Sequence, residues 1–175
     1  MNEPELIKQI CAGDDAAYAQ LIERYQRGLV RYCFTIVHDA DAAEDIAQEA
    51  FIAAYDQLAK YQPEHSFSTW LYRIAHNKAI NSLRRPEAVP LDTDAPIPHT
   101  DTTREAIERE DREAAVRRAV DRLPVNYRTV IHLHYWEHRP YHEIATVMGV
   151  PATTIKTWLF RARQQLKEDC HGIIG

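Results

Sequence analysis

Apolar residues recur at intervals of three and four along almost the whole chain, and a single segment interrupts this rhythm. Such spacing places apolar side chains on one face of an α-helix, and the alternation typical of strands is absent. The interruption runs from Pro86 to Thr103 and contains four prolines, several acids and no aromatic residue. Its composition predicts a flexible, extended linker. We therefore expect an all-α protein of two small helical domains, residues 1–85 and 105–175, joined by a Pro/Asp-rich linker over 86–104.

The 175 residues suffice for two domains with modest cores. The three cysteines, Cys11, Cys33 and Cys170, lie far apart and never in a CxxC spacing, which argues against a disulfide framework or a cysteine zinc site. No apolar run approaches the roughly 18 residues of a membrane span. The first residues also lack the pattern of a signal peptide. We therefore expect a cytoplasmic protein without membrane insertion.

Helix caps and periodicity organise the first domain. Asp14 or Asp15 is predicted to cap a helical pattern that continues to Val37, and Asp41 is predicted to cap a helix over 41–61. Five apolar residues of the latter share a face that should be buried: Ala47, Ala50, Phe51, Ala54 and Leu58. Another face carries Asp45, Gln48, Glu49, Ile52 and Asp56. Periodicity alone leaves open whether this second face is merely solvated or binds a partner.

A further helix is predicted after Pro63, in HSFSTWLYRIAHNKAINSL, with Ser66 or Ser68 as its N-cap. Its core residues are predicted to be Leu71, Ile74, Ala75, Ile80 and also Trp70. The residues predicted to face outward, at least in part, are Tyr72, Arg73, His76, Asn77, Lys78, Asn81, Arg84 and Arg85.

The second domain contains a helix-turn-helix pattern. A helix over 105–122 precedes Pro124, which is predicted at the first position of a helix whose Val130, Ile131 and Leu133 can pack. A short helix around Ile144 then leads to Gly149 at a tight turn and to a longer helix, as in DNA-reading modules. In that longer helix we expect Ile155, Leu159, Ala162 and Leu166 inside. Lys156, Thr157, Phe160, Arg161 and Gln164 should face out and suit a DNA major groove.

Two stretches without any acidic residue contrast with a formal net charge of −5. Residues 66–86 and 151–167 each carry four Lys or Arg among aromatic and amide side chains. Such strips can lie along phosphates while touching bases. An acidic free protein is nevertheless repelled by duplex DNA at long range. We therefore expect DNA binding to need a larger partner that supplies most of the phosphate contacts.

Three segments, in this order, resemble the bacterial RNA polymerase sigma factors of the extracytoplasmic-function (ECF) group. They are AEDIAQEAFIAAY (43–55), FSTWLYRIAHNKAINSLRR (67–85) and DRLPVNYRTVIHLHYWEHRPYHEIATVMGVPATTIKTWLFRARQQL (121–166). The resemblance implies a promoter-specificity subunit with sigma region 2 in residues 1–85 and sigma region 4 in 105–175, without catalytic residues or cofactor. It implies an alternative, stress- or envelope-responsive sigma factor whose partners are core RNA polymerase, promoter DNA and an anti-sigma factor.

The resemblance also assigns roles to individual residues. Docking on the clamp helices of the polymerase largest subunit is implied for Asp45, Gln48, Glu49 and Phe51. The loop at 61–68 and the helix after it would capture a base flipped from the minus-10 element, through Tyr61, Phe67, Ser68, Asn77, Lys78, Asn81, Arg84 and Arg85. The minus-35 duplex would meet Lys156, Thr157, Phe160 and Arg161, with Arg163 on the backbone. Trp70 is interpreted as a core residue rather than a DNA contact.

Two rival interpretations start from other features. The histidines at 132, 134, 138 and 142 invite a metal-site hypothesis, but Pro140 should interrupt the helix that would align them, so we expect exposed, uncoordinated histidines. No HExxH motif, nucleophile arrangement or phosphate loop accompanies them, and we expect no enzyme. A conventional helix-turn-helix repressor that binds duplex operators alone would explain 141–167 but leaves the basic strip at 66–86 without a role.

Overall fold

The computed structural model describes residues 2–62, 64–84 and 104–171. These residues form eight α-helices and no strand, which confirms the all-α prediction. The helices are α1 (Glu3–Cys11), α2 (Asp15–Val37), α3 (Ala40–Gln57), α4 (Phe67–Leu83), α5 (Arg104–Asp121), α6 (Val125–Ile131), α7 (Tyr141–Met148) and α8 (Ala152–Cys170). A 3₁₀ turn at Leu58–Lys60 follows α3, and a π-helical turn at His132–Trp136 follows α6. Within the described ranges, no helix is long and apolar enough to cross a membrane. Arg85 and residues 86–103 of the predicted linker lie outside the described residues.

Side-chain caps start the helices of the first domain. The Asp14 carboxylate accepts hydrogen bonds from the amides of Ala16 and Ala17 at the start of α2, and Ser66 caps α4, as predicted. The prediction that Asp41 caps α3 is wrong, because the carboxylate of Asp39 accepts the hydrogen bond from the Ala42 amide at 3.0 Å. The chain leaves α2 through His38 in the left-handed region, with φ of 54°, and this tight exit lets α3 begin two residues earlier.

Helices α2, α3 and α4 pack against one another around the core of the first domain, and α1 packs on α2. The apolar face predicted for α3 is buried from Ala47 to Ala54, and Leu58 continues it in the 3₁₀ turn. In α4 the core prediction holds for Leu71 and Ala75, while Trp70, Ile74 and Ile80 are half-buried against the same cluster. The first domain is therefore a small bundle that places α4 in its interior.

Two residues of α4 depart from the prediction that they face outward. Tyr72 and His76 are only 1% and 6% exposed. The Tyr72 hydroxyl donates to Glu137 of the second domain, and the His76 ring lies 2.8 Å from the hydroxyl of Tyr32 on α2. The helix is covered on a second side by a surface that helical periodicity does not reveal.

The second domain is built from α6, α7 and α8, with α5 packed beside α8 and α6. Val130, Ile131 and Leu133 are buried as predicted, and Pro124 lies just before α6, at its N-cap rather than at its first position. Helix α7 ends at Gly149, whose φ of 68° is a left-handed conformation that side chains disfavour. The pair α7 and α8, joined by this turn, confirms the predicted helix-turn-helix.

The two domains meet along one interface. Helix α4 packs against α7, and α2 packs against α6 and the π-helical turn. Buried apolar residues of both domains belong to one continuous cluster. This arrangement brings side chains from residues 120–147 onto the surface of α2 and α4.

Candidate nucleic-acid interface

Helix α8 presents an exposed ridge over a buried apolar face. Ile155, Leu159 and Ala162 are buried against α6 and α7, and Leu166 is half-buried. The ridge, which we call the recognition ridge, consists of Lys156, Thr157, Phe160 and Arg161, with Gln164 beside them. Phe160 is 61% exposed, which is unusual for an aromatic side chain in a small domain. Lys and Arg can reach guanine edges or phosphates, and an exposed phenyl ring can touch a thymine methyl group.

Arg163 lies on the flank of the recognition ridge and is held there by Tyr135. Its Nε donates a hydrogen bond of 2.7 Å to the Tyr135 hydroxyl, and its guanidinium lies 5.6 Å from the centre of the same ring. The hydrogen bond to Tyr135 raises the pKa of Arg163 further above its usual value. Sequence reasoning missed Tyr135, because the two residues are 28 positions apart and share no helix.

Helix α4 offers a smaller polar surface near its C-terminal end. Asn77, Asn81 and Arg84 are exposed, and Lys78 is half-buried. The Lys78 ammonium lies 3.5 Å from a carboxylate oxygen of Glu49 on α3. A surface pair of this kind contributes about 0–1 kcal/mol, so it is easily exchanged for another partner. The residues assigned to minus-10 DNA and to polymerase docking are therefore neighbours across α3 and α4.

The loop before α4 is organised by aromatic packing. The Tyr61 ring lies 5.3 Å from that of Trp70, and Phe67 is fully buried against both rings. The Phe67 amide donates to Glu3 on α1 at 3.0 Å. The prediction that Phe67 contacts DNA does not fit this structure, because its ring fills the core and none of it is exposed. Ser68 is half-buried, and its hydroxyl accepts a hydrogen bond from Arg139 of the second domain.

The polar face of α3 borders a groove. Asp45, Gln48 and Glu49 are exposed together with Ile52, which is 63% exposed. We call these four residues the docking face. Phe51 was predicted to act with them, but its ring is only 5% exposed.

A groove of about 690 Å³ runs between α2 and α3, next to the docking face. Its apolar lining comes from Tyr18, Ile22, Val30, Ala47, Phe51, Ile52 and Tyr55, and its acidic lining from Asp15, Glu44 and Asp56. An amphipathic helix with basic residues beside its apolar face is the partner that such a groove fits. Phe51 thus contributes to the floor of the groove rather than to its exposed rim. The contribution of α2 was not predicted, because a helical pattern of apolar residues does not show which of them line a groove.

The histidine series does not form a metal site. Among the described residues, no group of His, Cys, Asp and Glu is arranged to hold a metal ion. The expectation that all four histidines are exposed is wrong for His132, which is 8% exposed and lies between the rings of Tyr32 and Trp136. Pro140 separates the π-helical turn from α7, so the series does not share one helix face.

Comparisons with known proteins agree with this architecture. The Sigma-70 region 2 family matches residues 21–88, and the Sigma-70, region 4 family matches residues 113–166. The RNA polymerase sigma-H factor of Pseudomonas aeruginosa is 35% identical, over 94% of this chain and 92% of that protein. The ECF RNA polymerase sigma factor SigW of Bacillus subtilis is 32% identical, over 93% of each chain.

A solved structure shares the fold of both domains. It is the sigma factor RpoE of Bartonella quintana in complex with the anti-sigma factor NepR. It superposes with a TM-score of 0.71 at 20% identity, over 87% of this chain and 95% of that one.

Proposed function

This chain belongs to the extracytoplasmic-function group of RNA polymerase sigma factors, and we propose that its two basic helices divide the promoter between them. A sigma factor directs core RNA polymerase to specific promoters and initiates transcription there. In our proposal, α8 reads the minus-35 element as a duplex, and α4 with the loop before it holds the opened minus-10 strand. The observation that carries this division is the recognition ridge on α8, which is exposed over a fully apolar inner face.

The chemistry of the recognition ridge suits a duplex major groove. Lys156 and Arg161 supply positive charge for guanine edges and for adjacent phosphates, and Thr157 and Phe160 supply the contacts that a thymine methyl group accepts. Arg163, held by Tyr135 on the flank, is placed to meet the phosphate backbone. Because the helix rests on buried Ile155 and Leu159, it can enter a groove as a rigid element.

The exposed surface of α4 suits single-stranded DNA. Asn77 and Asn81 carry amides that can donate to and accept from the edge of an unpaired base. Lys78, Arg84 and Arg85 would hold the phosphates of that strand, although Arg85 lies outside the described residues. Tyr61 and Ser68 would line the path of the flipped base.

Docking on core RNA polymerase would use the docking face and the groove beside it. We propose that the clamp helices of the largest subunit contact Asp45, Gln48 and Glu49, and that an apolar side chain of the partner enters the groove floored by Phe51. Mounting on polymerase compensates for the net charge of −5, which by itself weakens the attraction to DNA.

Control by an anti-sigma factor is part of the same proposal. The Bartonella quintana protein, which shares the fold, is bound by an anti-sigma factor. An anti-sigma factor of this chain would act in the cytoplasm and would cover the docking face or the groove until a stress or envelope signal removes it. The chain would then serve as an alternative sigma factor.

In vitro transcription with core RNA polymerase, this chain and a promoter library tests the proposal. We expect initiation at promoters that share two sequence elements. Glu49→Ala should weaken polymerase binding, whereas Glu23→Ala, which removes an exposed acid outside the groove, should not. Tight operator binding without polymerase, together with no initiation, would overturn the proposal in favour of a conventional helix-turn-helix repressor.

A further inference from the structure

Glu3 of α1 connects two parts of the first domain that are far apart in the sequence. One of its carboxylate oxygens accepts a 3.0 Å hydrogen bond from the Phe67 amide, and the other accepts a hydrogen bond from the Tyr25 hydroxyl of α2. Phe67 lies 64 positions after Glu3 and is the first residue of α4. Glu3 is half-buried, so both hydrogen bonds are partly shielded from water. Glu3 thereby connects the start of α4 to α2.

Tyr25 holds the Glu3 carboxylate in place. Burial raises the pKa of Tyr25 to about 12, and the hydrogen bond to Glu3 contributes to this rise, so the hydroxyl keeps its proton and remains a donor. Leu6 and Ile10, on the buried face of α1, pack into the core. The carboxylate is therefore fixed from two sides, by α2 through Tyr25 and by the apolar face of its own helix.

The contact with Glu3 completes the N-terminal cap of α4. The Phe67 amide is one of the first backbone donors of the helix, which have no acceptor inside it. The Ser66 hydroxyl accepts a 3.1 Å hydrogen bond from the Thr69 amide, and Glu3 is the acceptor for the Phe67 amide. A carboxylate also suits this end of a helix because the end carries partial positive charge. The cap of α4 is thus shared between a local hydroxyl and a side chain of another helix.

The loop at 61–68, which we propose to receive the flipped minus-10 base, ends at this cap. The Tyr61 hydroxyl donates to the His65 carbonyl at 2.5 Å, which closes the loop on itself. Burial and the negative charge of Glu3 both raise the pKa of Tyr61, so Glu3 lies near the beginning of the loop as well as at its end. Pro63, within the loop, lies outside the described residues. Glu3 is therefore placed to fix the path of this loop.

We propose that Glu3 is a positioning residue, which holds the loop at 61–68 in the conformation that receives the flipped base. The proposal rests on the proposed role of this loop in minus-10 binding. Glu3 does not contact DNA in this proposal but acts through the Phe67 amide. A loop that is ordered before binding loses less conformational entropy when the strand arrives. Without Glu3, part of the affinity for the single strand would be lost to ordering the loop.

Hydrogen exchange of the free chain tests whether Glu3 holds the loop. Glu3→Ala removes both hydrogen bonds. Glu5→Ala is the matched control, because Glu5 lies in the same turn of α1 and has the same charge but accepts from the Asn2 amide instead. We expect the amides of residues 64–68 to exchange about tenfold faster in Glu3→Ala and at the native rate in Glu5→Ala. Native exchange in Glu3→Ala, or equal acceleration in both variants, would overturn the proposal.

Abasic sites in the DNA test whether the held loop receives a base. The probe is the single-stranded minus-10 segment of a promoter at which the native chain initiates, bound to the complex of the full chain with core RNA polymerase. Each base is removed in turn. In the native complex, removal at one position should lower the affinity about tenfold, which marks the captured base.

The three complexes should differ in this measurement. In Glu3→Ala, the intact strand should bind about tenfold more weakly, and removal of the captured base should cost less than about threefold in affinity. Glu5→Ala should behave like the native chain. All three complexes should bind a minus-35 duplex equally well. A purely structural role of Glu3 would not remove the sensitivity to one particular base.

Two further variants separate the hydrogen bonds from the charge. Glu3→Gln keeps an acceptor for the Phe67 amide and a donor for the Tyr25 hydroxyl oxygen, so it should lose only about threefold in single-strand affinity. A loss in Glu3→Gln as large as in Glu3→Ala would overturn the role of the hydrogen bonds. Tyr25→Phe keeps the ring but removes one partner of Glu3, and it should also lose about threefold. Tyr25→Phe decides the question if Glu3→Ala loses helical circular dichroism, and native affinity in it would then overturn the proposal.

Failure of base capture and failure of the role of Glu3 give different results. If no abasic site weakens binding of the native complex, base capture by this loop is contradicted, and the role of Glu3 with it. If one position matters equally in the native complex and in Glu3→Ala, base capture stands and the role of Glu3 is overturned. Loss of minus-35 duplex affinity in Glu3→Ala would also overturn that role, because it would show damage to the complex as a whole.

Discussion

Helices α4 and α8 carry the two basic strips of the chain, yet they occupy different places in the fold. Seven residues of α4 are buried, including Phe67, Tyr72 and His76, because the helix is enclosed by its own domain and by the second domain. Helix α8 buries Ile155, Leu159 and Ala162 and leaves its other side exposed. The two strips therefore have the same local charge, but α4 is an interior helix with a small polar surface, whereas α8 is a peripheral helix with a long polar surface.

Because of this difference, substitutions in the two helices should affect the stability of the fold and DNA binding to different extents. A substitution in α4 changes the packing of both domains as well as any DNA contact that it makes. A substitution on the recognition ridge of α8 can change DNA binding while leaving the fold as it is.

The largest effect is expected from a matched pair of phenylalanine substitutions. Phe67→Ala empties a fully buried site in α4 and should lower the free energy of unfolding by about 3–5 kcal/mol. Phe160→Ala on α8 removes an exposed ring and should change it by less than about 0.5 kcal/mol. Urea unfolding followed by circular dichroism measures both values. Equal losses would contradict the contrast between the two helices.

The pH dependence of stability should reveal the buried histidine of α4. Burial lowers the pKa of His76 to about 4. Between this value and about 6.5 the unfolded chain binds a proton that the folded chain does not, so stability falls as the pH falls through this window. Because of His76, the free energy of unfolding at pH 5 should be about 2 kcal/mol lower than at pH 7.5.

Urea unfolding of the native chain and of His76→Gln at both pH values isolates this loss. We expect a smaller difference between the two pH values in the variant. An equal pH dependence in both proteins would show that His76 is not buried in its neutral form.

Removing one cation from each helix should affect duplex binding unequally. Lys156→Ala should weaken binding of the polymerase complex to a minus-35 duplex by about 1 kcal/mol and reduce the slope of log K against log salt by about one. Lys78→Ala should leave both quantities unchanged for that duplex. Fluorescence anisotropy at several salt concentrations provides the measurement, and a reduced slope in both variants would contradict the division of labour.

The smallest effect is expected where Tyr135 holds Arg163. Tyr135→Phe keeps the ring below the guanidinium but removes the hydrogen bond, and it should cost about 0.5 kcal/mol in minus-35 affinity. Tyr127→Phe, elsewhere in the second domain, serves as a control and should bind like the native chain. A loss as large in the control as in Tyr135→Phe would remove the special role of Tyr135.

The features that the sequence predicts correctly are those that depend on neighbouring residues alone. The apolar face of α3, the turn at Gly149 and the exposed recognition ridge follow from helical periodicity and from one glycine, and all three are found. The cap of α3 was misplaced by two residues, because the left-handed exit at His38 is a backbone feature that composition does not reveal.

Long-range contacts account for the remaining errors. Tyr72 was expected to face outward in part, but it meets Glu137, a residue 65 positions later. His132 was expected to be exposed, but it lies against Thr35, 97 positions earlier. Residue patterns at intervals of three and four do not reveal either contact, since both depend on how the second domain packs on the first. For the same reason, nothing at helical spacing indicates that Arg128 donates to carbonyls at the end of α2 and that Arg139 donates to hydroxyls at the start of α4.

If α4 holds a single strand and α8 reads a duplex, one variant of each helix, in complex with core RNA polymerase, should lose affinity for a different DNA. The measurement is the affinity of Asn81→Ala and Arg161→Ala for a single-stranded minus-10 oligonucleotide and for a minus-35 duplex. We expect Asn81→Ala to lose about tenfold in affinity only for the single strand, and Arg161→Ala about tenfold only for the duplex. Equal losses for both ligands in each variant would contradict it.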